Sequence, residues 1–113
     1  MIDTILDLIA SAIEFVVDFI IDIIEGVISF WNDVVDYFKK LNLTRNANKN
    51  VFIADANKFR DILHGAPVVD AGIFGGVYNE ETNEIENGRF VGGDALDEKT
   101  KSVIGEKGIA ILT

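Results

Sequence analysis

The stretch EFVVDFIIDIIEG, residues 14–26, is almost entirely apolar but carries an acid at every third or fourth position. Continued in both directions, the pattern places a polar residue at positions 3, 7, 11, 14, 18, 22, 25, 29, 33, 36 and 40. The steps of 4, 4 and 3 repeat every 11 residues, or about 3.67 residues per turn, which is typical of a straight or slightly right-handed α-helix. The sequence therefore predicts a long helix over residues 2–40, filling an N-terminal region of residues 1–41, with an acidic stripe of Asp3, Asp7, Glu14, Asp18, Asp22, Glu25, Asp33 and Asp36.

The surface of this predicted helix outside the stripe is apolar over about two-thirds of its circumference, wider than the apolar side of an ordinary surface helix. The rest of the chain could cover only part of so long a rod. The remaining surface would need lipid, other copies of the chain, or another protein to cover it. The face expected to pack in such an assembly contains Ile9, Ile13, Phe15, Val16, Phe19, Ile20, Ile23, Ile24, Val27, Phe30 and Trp31.

The acids of this helix oppose its insertion into lipid as a single span. Between Leu8 and Ile28 there are 13 Leu, Ile, Val or Phe residues, which together favour insertion by about 4–8 kcal/mol. The four central acids oppose it by about 10 kcal/mol or more on the same scale. A membrane location would therefore require a bundle whose acidic stripes line a wet interior.

The sequence predicts a small α+β domain over residues 50–113, after a polar joint at residues 42–49. Its predicted elements are strands at 50–56, 68–79, 85–93 and 108–113, helices at 55–65 and 94–105, and a hairpin turn at 80–84. This β-α-β-β-α-β order is that of the split βαβ, or ferredoxin-like, arrangement. A hairpin that turned at Asn87-Gly88 would instead give a meander.

No catalytic, cofactor or metal site is predicted in this domain. His64 is the only histidine, and its place at a helix end is explained by a favourable interaction with the helix dipole. The segment GIFGG at 72–76 matches no phosphate-binding loop and indicates a β-bulge or a close backbone approach. The acid-rich segment at 79–88 lacks the ligand spacing of a calcium loop and predicts a solvated hairpin tip.

Composition limits the partners that the protein can have. The net charge of −9 argues against nucleic acid and against an anionic membrane surface, because both are bound through lysine and arginine. There is no cysteine, which excludes disulfides and thiolate metal ligands. The start MIDTILDLI has an acid where a signal peptide has basic residues, so no cleavable signal is expected. These features predict a cytoplasmic or membrane-associated protein.

The function predicted from the sequence is that of a non-enzymatic, self-assembling structural subunit. Its N-terminal helices would pack into a homo-oligomer or filament, which the C-terminal domain would decorate. The alternative is a membrane-embedded, channel-like or pore-like oligomer with the acidic stripe lining a wet interior. A small enzyme or ligand-binding module would be favoured only by a closed pocket that contains His64 or Arg60, and no small-molecule substrate is indicated.

Overall fold

A computed structural model describes residues 3–36 and 48–112 of the chain. These residues form a mixed α+β fold, which confirms the predicted class. The elements are α1 (Asp3–Ile13), β1 (Ile20–Ile23), β2 (Val27–Ile28), a π-helix (Phe30–Val35), β3 (Lys49–Asp55), β4 (Ala71–Asn79), β5 (Glu84–Gly93), β6 (Ala95–Leu96), α2 (Glu98–Ile104) and β7 (Ile109–Ile111).

Five of the strands form one sheet in the order β1-β5-β4-β3-β7, and β2 pairs with β6 in a separate two-stranded ladder. β1 runs parallel to β5, whereas the other pairs of the large sheet are antiparallel. β1 and β7 are the two edges of this sheet. Strands from the predicted N-terminal region thus pair with strands from the predicted C-terminal domain.

Side chains alternate between the two faces of the sheet along each strand, and the central strands are covered on both faces. Phe52 and Phe74 pack on the face that α1 covers through Ile9 and Ile13. Val51, Ile53, Ile73 and Val77 pack on the other face against Val34 of the π-helix and Ile104 of α2. The central strand β4 is buried from residue 71 to residue 78, and this two-sided burial explains its continuous run of apolar and glycine residues.

The predicted long helix is wrong. α1 ends at Ile13, the chain reaches β1 at Ile20, and a separate π-helix begins at Phe30. Two like-charged pairs four residues apart, Glu14/Asp18 and Asp18/Asp22, oppose a helix in this region. The region is also rich in valine and isoleucine, which lose rotamer freedom in helices and suit strands. Gly26 then adopts a φ of 94°, which no right-handed helix accommodates.

The predicted end of the long helix, at residues 37–40, and residues 42–47 of the predicted joint lie outside the described residues. Within residues 3–36 and 48–112, no helix has the length and apolar character needed to cross a membrane.

The ferredoxin-like topology is also wrong, because the predicted helix at 55–65 does not form and β3 and β4 are antiparallel neighbours. A βαβ unit needs parallel strands joined by a crossover helix. Asp55 instead accepts a hydrogen bond from the Asn57 N–H at 3.0 Å, forming the kind of local turn that Asp and Asn favour over helix. Gly65, the last residue of the predicted helix, has a φ of 88°. Leu63 of the same segment packs in the core although the helix is absent.

The strands β3, β4 and β5 are consecutive antiparallel neighbours and so form a meander, although its hairpin turns at residues 80–83 and not at Asn87-Gly88. The register of β4 and β5 shifts between Gly75 and Val77, where Asn87 has a φ of 55°. The irregularity thus falls at Gly76 of the predicted segment, but the extra residue belongs to β5, where Asn87 and Gly88 lie opposite Gly76. A Cβ at Gly76 would lie 2.8 Å from the Glu86 carbonyl oxygen, so only glycine fits there.

The helix predicted at residues 94–105 is present as α2, which begins later than predicted, at Glu98. Asp97 caps its N-terminus and accepts a hydrogen bond from the Thr100 N–H at 2.8 Å. Gly105 closes its C-terminus with a φ of 61°, and the Gly105 N–H donates to the Lys101 carbonyl at 3.0 Å. Both ends therefore follow from local capping preferences.

Candidate association surface

Exposed large apolar side chains are concentrated in residues 8–31, hereafter the N-terminal segment. Of the nine such side chains among the described residues, eight belong to this segment, and the ninth is Val68. Val17 is 96% exposed, Phe15 77%, Ile23 60% and Ile20 59%. Scattered exposed apolar residues are normal in a monomer, whereas a large contiguous apolar patch is typical of an interaction site.

The eleven residues of the predicted assembly face divide into three groups. Four are buried inside the monomer and so cannot contact another chain: Ile9, Ile13, Val16 and Phe30. Two are half-buried against the core: Phe19 and Ile24. Five are exposed: Phe15, Ile20, Ile23, Val27 and Trp31.

The prediction missed three exposed apolar residues of the same segment, Leu8, Val17 and Ile21. Val17 and Ile21 belong to the β-branched pairs Val16-Val17 and Ile20-Ile21, and such pairs favour strand over helix. In a strand adjacent side chains point to opposite faces, and here both Ile20 and Ile21 are exposed, as is Val17. This signal is present in the sequence, but the 11-residue pattern obscures it.

The predicted acidic stripe does not form, because its members lie on different elements. Asp3 and Asp7 belong to α1, Asp22 to β1, and Asp33 to the π-helix, while Glu14, Asp18 and Glu25 lie between elements and Asp36 follows the π-helix. Asp33 accepts a hydrogen bond from the Ser29 N–H at 2.7 Å and thereby stabilises the start of the π-helix. Because they lie on different elements, these acids do not form the single helical line that was predicted.

Among the described residues, β1 is an edge strand that pairs with another strand of the large sheet on one side only. The Ile24 N–H donates to the Gly92 carbonyl at 2.8 Å, immediately after β1. Backbone groups of successive residues in a strand point alternately to its two sides. The groups of Ile20 and Asp22 therefore face β5, and those of Ile21 and Ile23 face away from the sheet. An edge of this kind is a template for another strand.

The one acid of β1, Asp22, is neutralised within the monomer by Arg89 of β5, whose guanidinium donates to the Asp22 carboxylate. Burial lowers the pKa of Arg89, but an arginine remains charged at any physiological pH. Charged residues normally protect an edge strand from pairing with other chains. Because Asp22 is already paired, this protection is weakened on β1.

Two acids of the C-terminal part hold the end of the N-terminal segment in place. The Asp94 carboxylate accepts from the Gly26 N–H at 3.0 Å, and the Asp97 carboxylate accepts from the Phe30 N–H at 2.8 Å. Between these two contacts β2 pairs with β6. Burial raises the pKa of Asp97, but its hydrogen bonds with Thr100 and Phe30 outweigh burial and leave the pKa lowered.

A cleft of about 270 Å³ lies beside the start of β1, between residues 12–18 and residues 83–86. Phe15 and Val17 line it together with the acids Asp18, Glu84 and Glu86. The hydrogen bond from Asn79, followed by that from Lys49, lowers the pKa of Glu86. The ion pair with Lys49 spans 3.1 Å.

Tyr78 of the core also has a shifted pKa. Burial is the main cause that raises the pKa of Tyr78, and the charge of Glu80 raises it further. The Tyr78 hydroxyl donates to the Asn83 side chain at 2.7 Å, which keeps this buried polar group satisfied.

A second cleft, of about 290 Å³, lies beside the end of β1, and Asp22, Ile23, Asp36 and Arg89 are among the residues that line it. Neither cleft contains His64 or Arg60. His64 is exposed, and Arg60 donates to the Asn57 side chain at 2.8 Å. Across residues 3–36 and 48–112, no group of three or more His, Asp or Glu side chains could hold a metal ion.

The acid-rich hairpin tip contacts β3 and the residue before it. Glu80 accepts from the Asn50 side chain at 2.7 Å, and Glu81 accepts from the Asn48 side chain at 2.6 Å. These contacts hold the tip against the sheet, and the hairpin is exposed at residues 80–84 as predicted.

No protein-family model, no curated protein and no solved structure matches this chain. The function proposed below rests on the residues of this chain alone.

Proposed function

We propose that this protein is a non-enzymatic structural subunit that associates with copies of itself through the N-terminal segment. The C-terminal sheet would then hold that segment in place, through Asp94 and Asp97 at one end and through β5 along β1. The observation that supports this proposal is the concentration of exposed apolar side chains on residues 8–31. Compact monomers rarely leave such a surface uncovered.

The expected contribution of this surface can be bounded from β1. Full burial of an isoleucine side chain contributes about 1.5–3 kcal/mol, and Ile20 and Ile23 are each more than half exposed. Each would therefore contribute about 1 kcal/mol on association, and both would do so in each of two copies. The sum of about 4 kcal/mol corresponds to roughly a thousandfold in Kd, which is ample for a test.

The test is sedimentation velocity on the full chain over a range of concentrations, without detergent. We expect the wild-type protein to self-associate and the double variant Ile20→Thr/Ile23→Thr to weaken association by at least about tenfold, allowing for imperfect burial. Val68→Thr is the matched control, because Val68 is 82% exposed but lies outside the segment. A wild-type chain that stays monomeric at all concentrations would refute the proposal.

Ionic strength gives an independent signature of self-association. Each copy carries a net charge of −9, so two copies repel each other at low salt and this repulsion is screened as salt is added. Association should therefore strengthen between about 0.01 and 0.15 M salt. A basic heterologous partner would show the opposite dependence.

A further inference from the structure

Residues 17–26, hereafter the strap, contain β1 and lie along β5 without a buried residue of their own. The residues on either side of the strap are anchored in the core, since Val16 is 8% exposed and Ile28 is fully buried. Segments with few buried apolar contacts open locally at a lower free energy than the core of a protein. The strap is therefore a place where this fold can open in part while both ends of the strap stay attached.

The strand β5 offers little side-chain surface to the strap. A Cβ at Gly88 would lie 3.2 Å from the Phe19 Cβ, and a Cβ at Gly92 would lie 2.9 Å from the Ile23 Cδ1. These two glycines leave room for the strap, but they have no side chain that could pack against it. The Phe19 ring contacts the Phe74 ring edge to face, with 5.4 Å between centroids. The pairing of β1 with β5 is parallel, which is slightly less stable per residue than antiparallel pairing.

Two polar contacts also hold the strap, one in its middle and one at its end. In the middle, Asp22 forms an ion pair with Arg89 of β5. At the end, the Gly26 N–H donates to the Asp94 carboxylate at 3.0 Å, and the Asp94 N–H donates to the Gly26 carbonyl at 2.9 Å. The contact with the Asp94 carboxylate is exposed, and the Asp22 side chain is 39% exposed. Water competes for both carboxylates, so each contact contributes modestly.

We propose that the strap opens from β5 as a unit while the rest of the described fold stays folded, so that the strap controls access to the edge of β5. This inference goes beyond the proposed function and does not depend on self-association. Before the strap, α1 stays attached through Ile9 and Ile13, which are fully buried. After the strap, the Asp97 N–H donates to the Ile28 carbonyl at 3.0 Å and keeps that end in place. Opening frees the backbone groups of β5 that pair with β1.

Hydrogen exchange of individual amides, followed by NMR at increasing urea concentration, tests this proposal. The Ile24 N–H donates to the Gly92 carbonyl, so its exchange requires the strap to leave β5. We expect the protection factor of the Ile24 amide to be at least about a hundredfold lower than those of the β4 amides. Its exchange should also depend weakly on urea, because strap opening exposes less surface than global unfolding. Equal protection and equal urea dependence at Ile24 and in β4 would overturn the proposal.

Two matched variants show whether the strap opens alone. The side chains of Asp22 and Glu86 are 39% and 38% exposed, and Asp22 pairs with Arg89 whereas Glu86 pairs with Lys49. Strap opening breaks the first ion pair and leaves the second intact. We expect Asp22→Asn to raise the exchange rate of the Ile24 amide by about two- to tenfold, and Glu86→Gln to leave it unchanged. Exchange of the β4 amides through global unfolding should rise in both variants.

The outcomes separate this inference from the proposed function. If Glu86→Gln raises exchange at Ile24 as much as it raises exchange in β4, the strap opens only with the whole fold and the inference is wrong. Repeating the wild-type measurement at a higher protein concentration tests the proposed function, since association that covers the strap slows its exchange by mass action. Fast exchange at every concentration supports opening and counts against association through the strap. If either variant does not fold, the urea dependence of the wild type still decides.

Discussion

Asp97 is predicted to contribute more to stability than any other single surface acid among the described residues, because its carboxylate serves two elements at once. One oxygen accepts from the Thr100 N–H at the start of α2, and the other accepts from the Phe30 N–H of the π-helix. The first contact is a helix cap, and its loss costs about 1 kcal/mol. The second satisfies a donor on a buried residue, and its loss leaves that donor unsatisfied at a cost of about 1–3 kcal/mol.

We therefore expect Asp97→Ala to lower the free energy of unfolding by about 2–4 kcal/mol. Asp97→Asn is the informative comparison. Asparagine caps helices as well as aspartate, but its side chain offers one acceptor oxygen where aspartate has two. The asparagine variant should keep the cap, lose the Phe30 contact, and fall between the wild type and the alanine variant.

Urea denaturation followed by circular dichroism and by the fluorescence of Trp31, the only tryptophan, measures these differences. Asp94→Asn is the control, since its contact with the Gly26 N–H is exposed and should contribute less than 1 kcal/mol. If Asp97→Ala unfolds within about 0.5 kcal/mol of the wild type, Asp97 does not join the two elements as described. Equal losses in the alanine and asparagine variants would likewise contradict the two-contact explanation.

Four further predictions follow from individual contacts. A double-mutant cycle of Asp22→Asn and Arg89→Met, measured by urea denaturation, should give a coupling energy of about 0.5–1.5 kcal/mol, and a value of zero would mean that the pair does not hold β1. The lowered pKa of Glu86 means that its contribution is present above its ordinary pKa of 4.5 and is lost as pH falls, so Glu86→Gln should flatten the acid side of a stability–pH curve. The raised pKa of Tyr78 means that stability falls as pH rises above 10.0, and Tyr78→Phe should remove that alkaline loss. Gly76→Ala should destabilise the fold by about 1–3 kcal/mol in thermal or urea unfolding, because its Cβ would contact a backbone carbonyl.

Most strands of the C-terminal part and its helix α2, though not their topology, could be predicted because their signals are local. Asp97 caps α2 three residues before Thr100, and Gly105 ends the same helix. The polar turn at residues 80–83 lies between the two strands predicted at 68–79 and 85–93. The exception is the connection after β3, where the side chain of Asp55 forms a turn with its own backbone neighbours in place of a helix.

The N-terminal third could not be predicted because its decisive contacts are distant in sequence. Asp22 binds Arg89, which lies 67 residues further along the chain, and no local pattern reports that partner. The spacing is also ambiguous. Asp18 and Asp22 are four residues apart, which places them on one side of a helix and equally on one side of a strand. Only the three-residue steps of the pattern favour a helix over a strand, and the positive φ of Gly26 is incompatible with a helix at that position.

The exposed surface was predictable in part for a physical reason. Residues 8–31 are strongly apolar, and that statement does not depend on whether the segment is helical. Which side chains remain exposed depends on the face that meets the core. Ile13 and Val16 face the core, whereas Phe15 and Val17 face outward, and this division follows from tertiary packing.

The pairing of β1 with β5 has a consequence for the order in which the protein is made. Strand β1 leaves the ribosome early, and β5 follows nearly 70 residues later, which takes about 3–14 s at the usual rates of synthesis. During that interval residues 14–26 have no strand to pair with, and their apolar side chains are available to any neighbouring nascent chain on the same messenger. Slowing translation before β5 should therefore increase co-translational aggregation, and a chaperone that recognises short apolar segments should bind this stretch first.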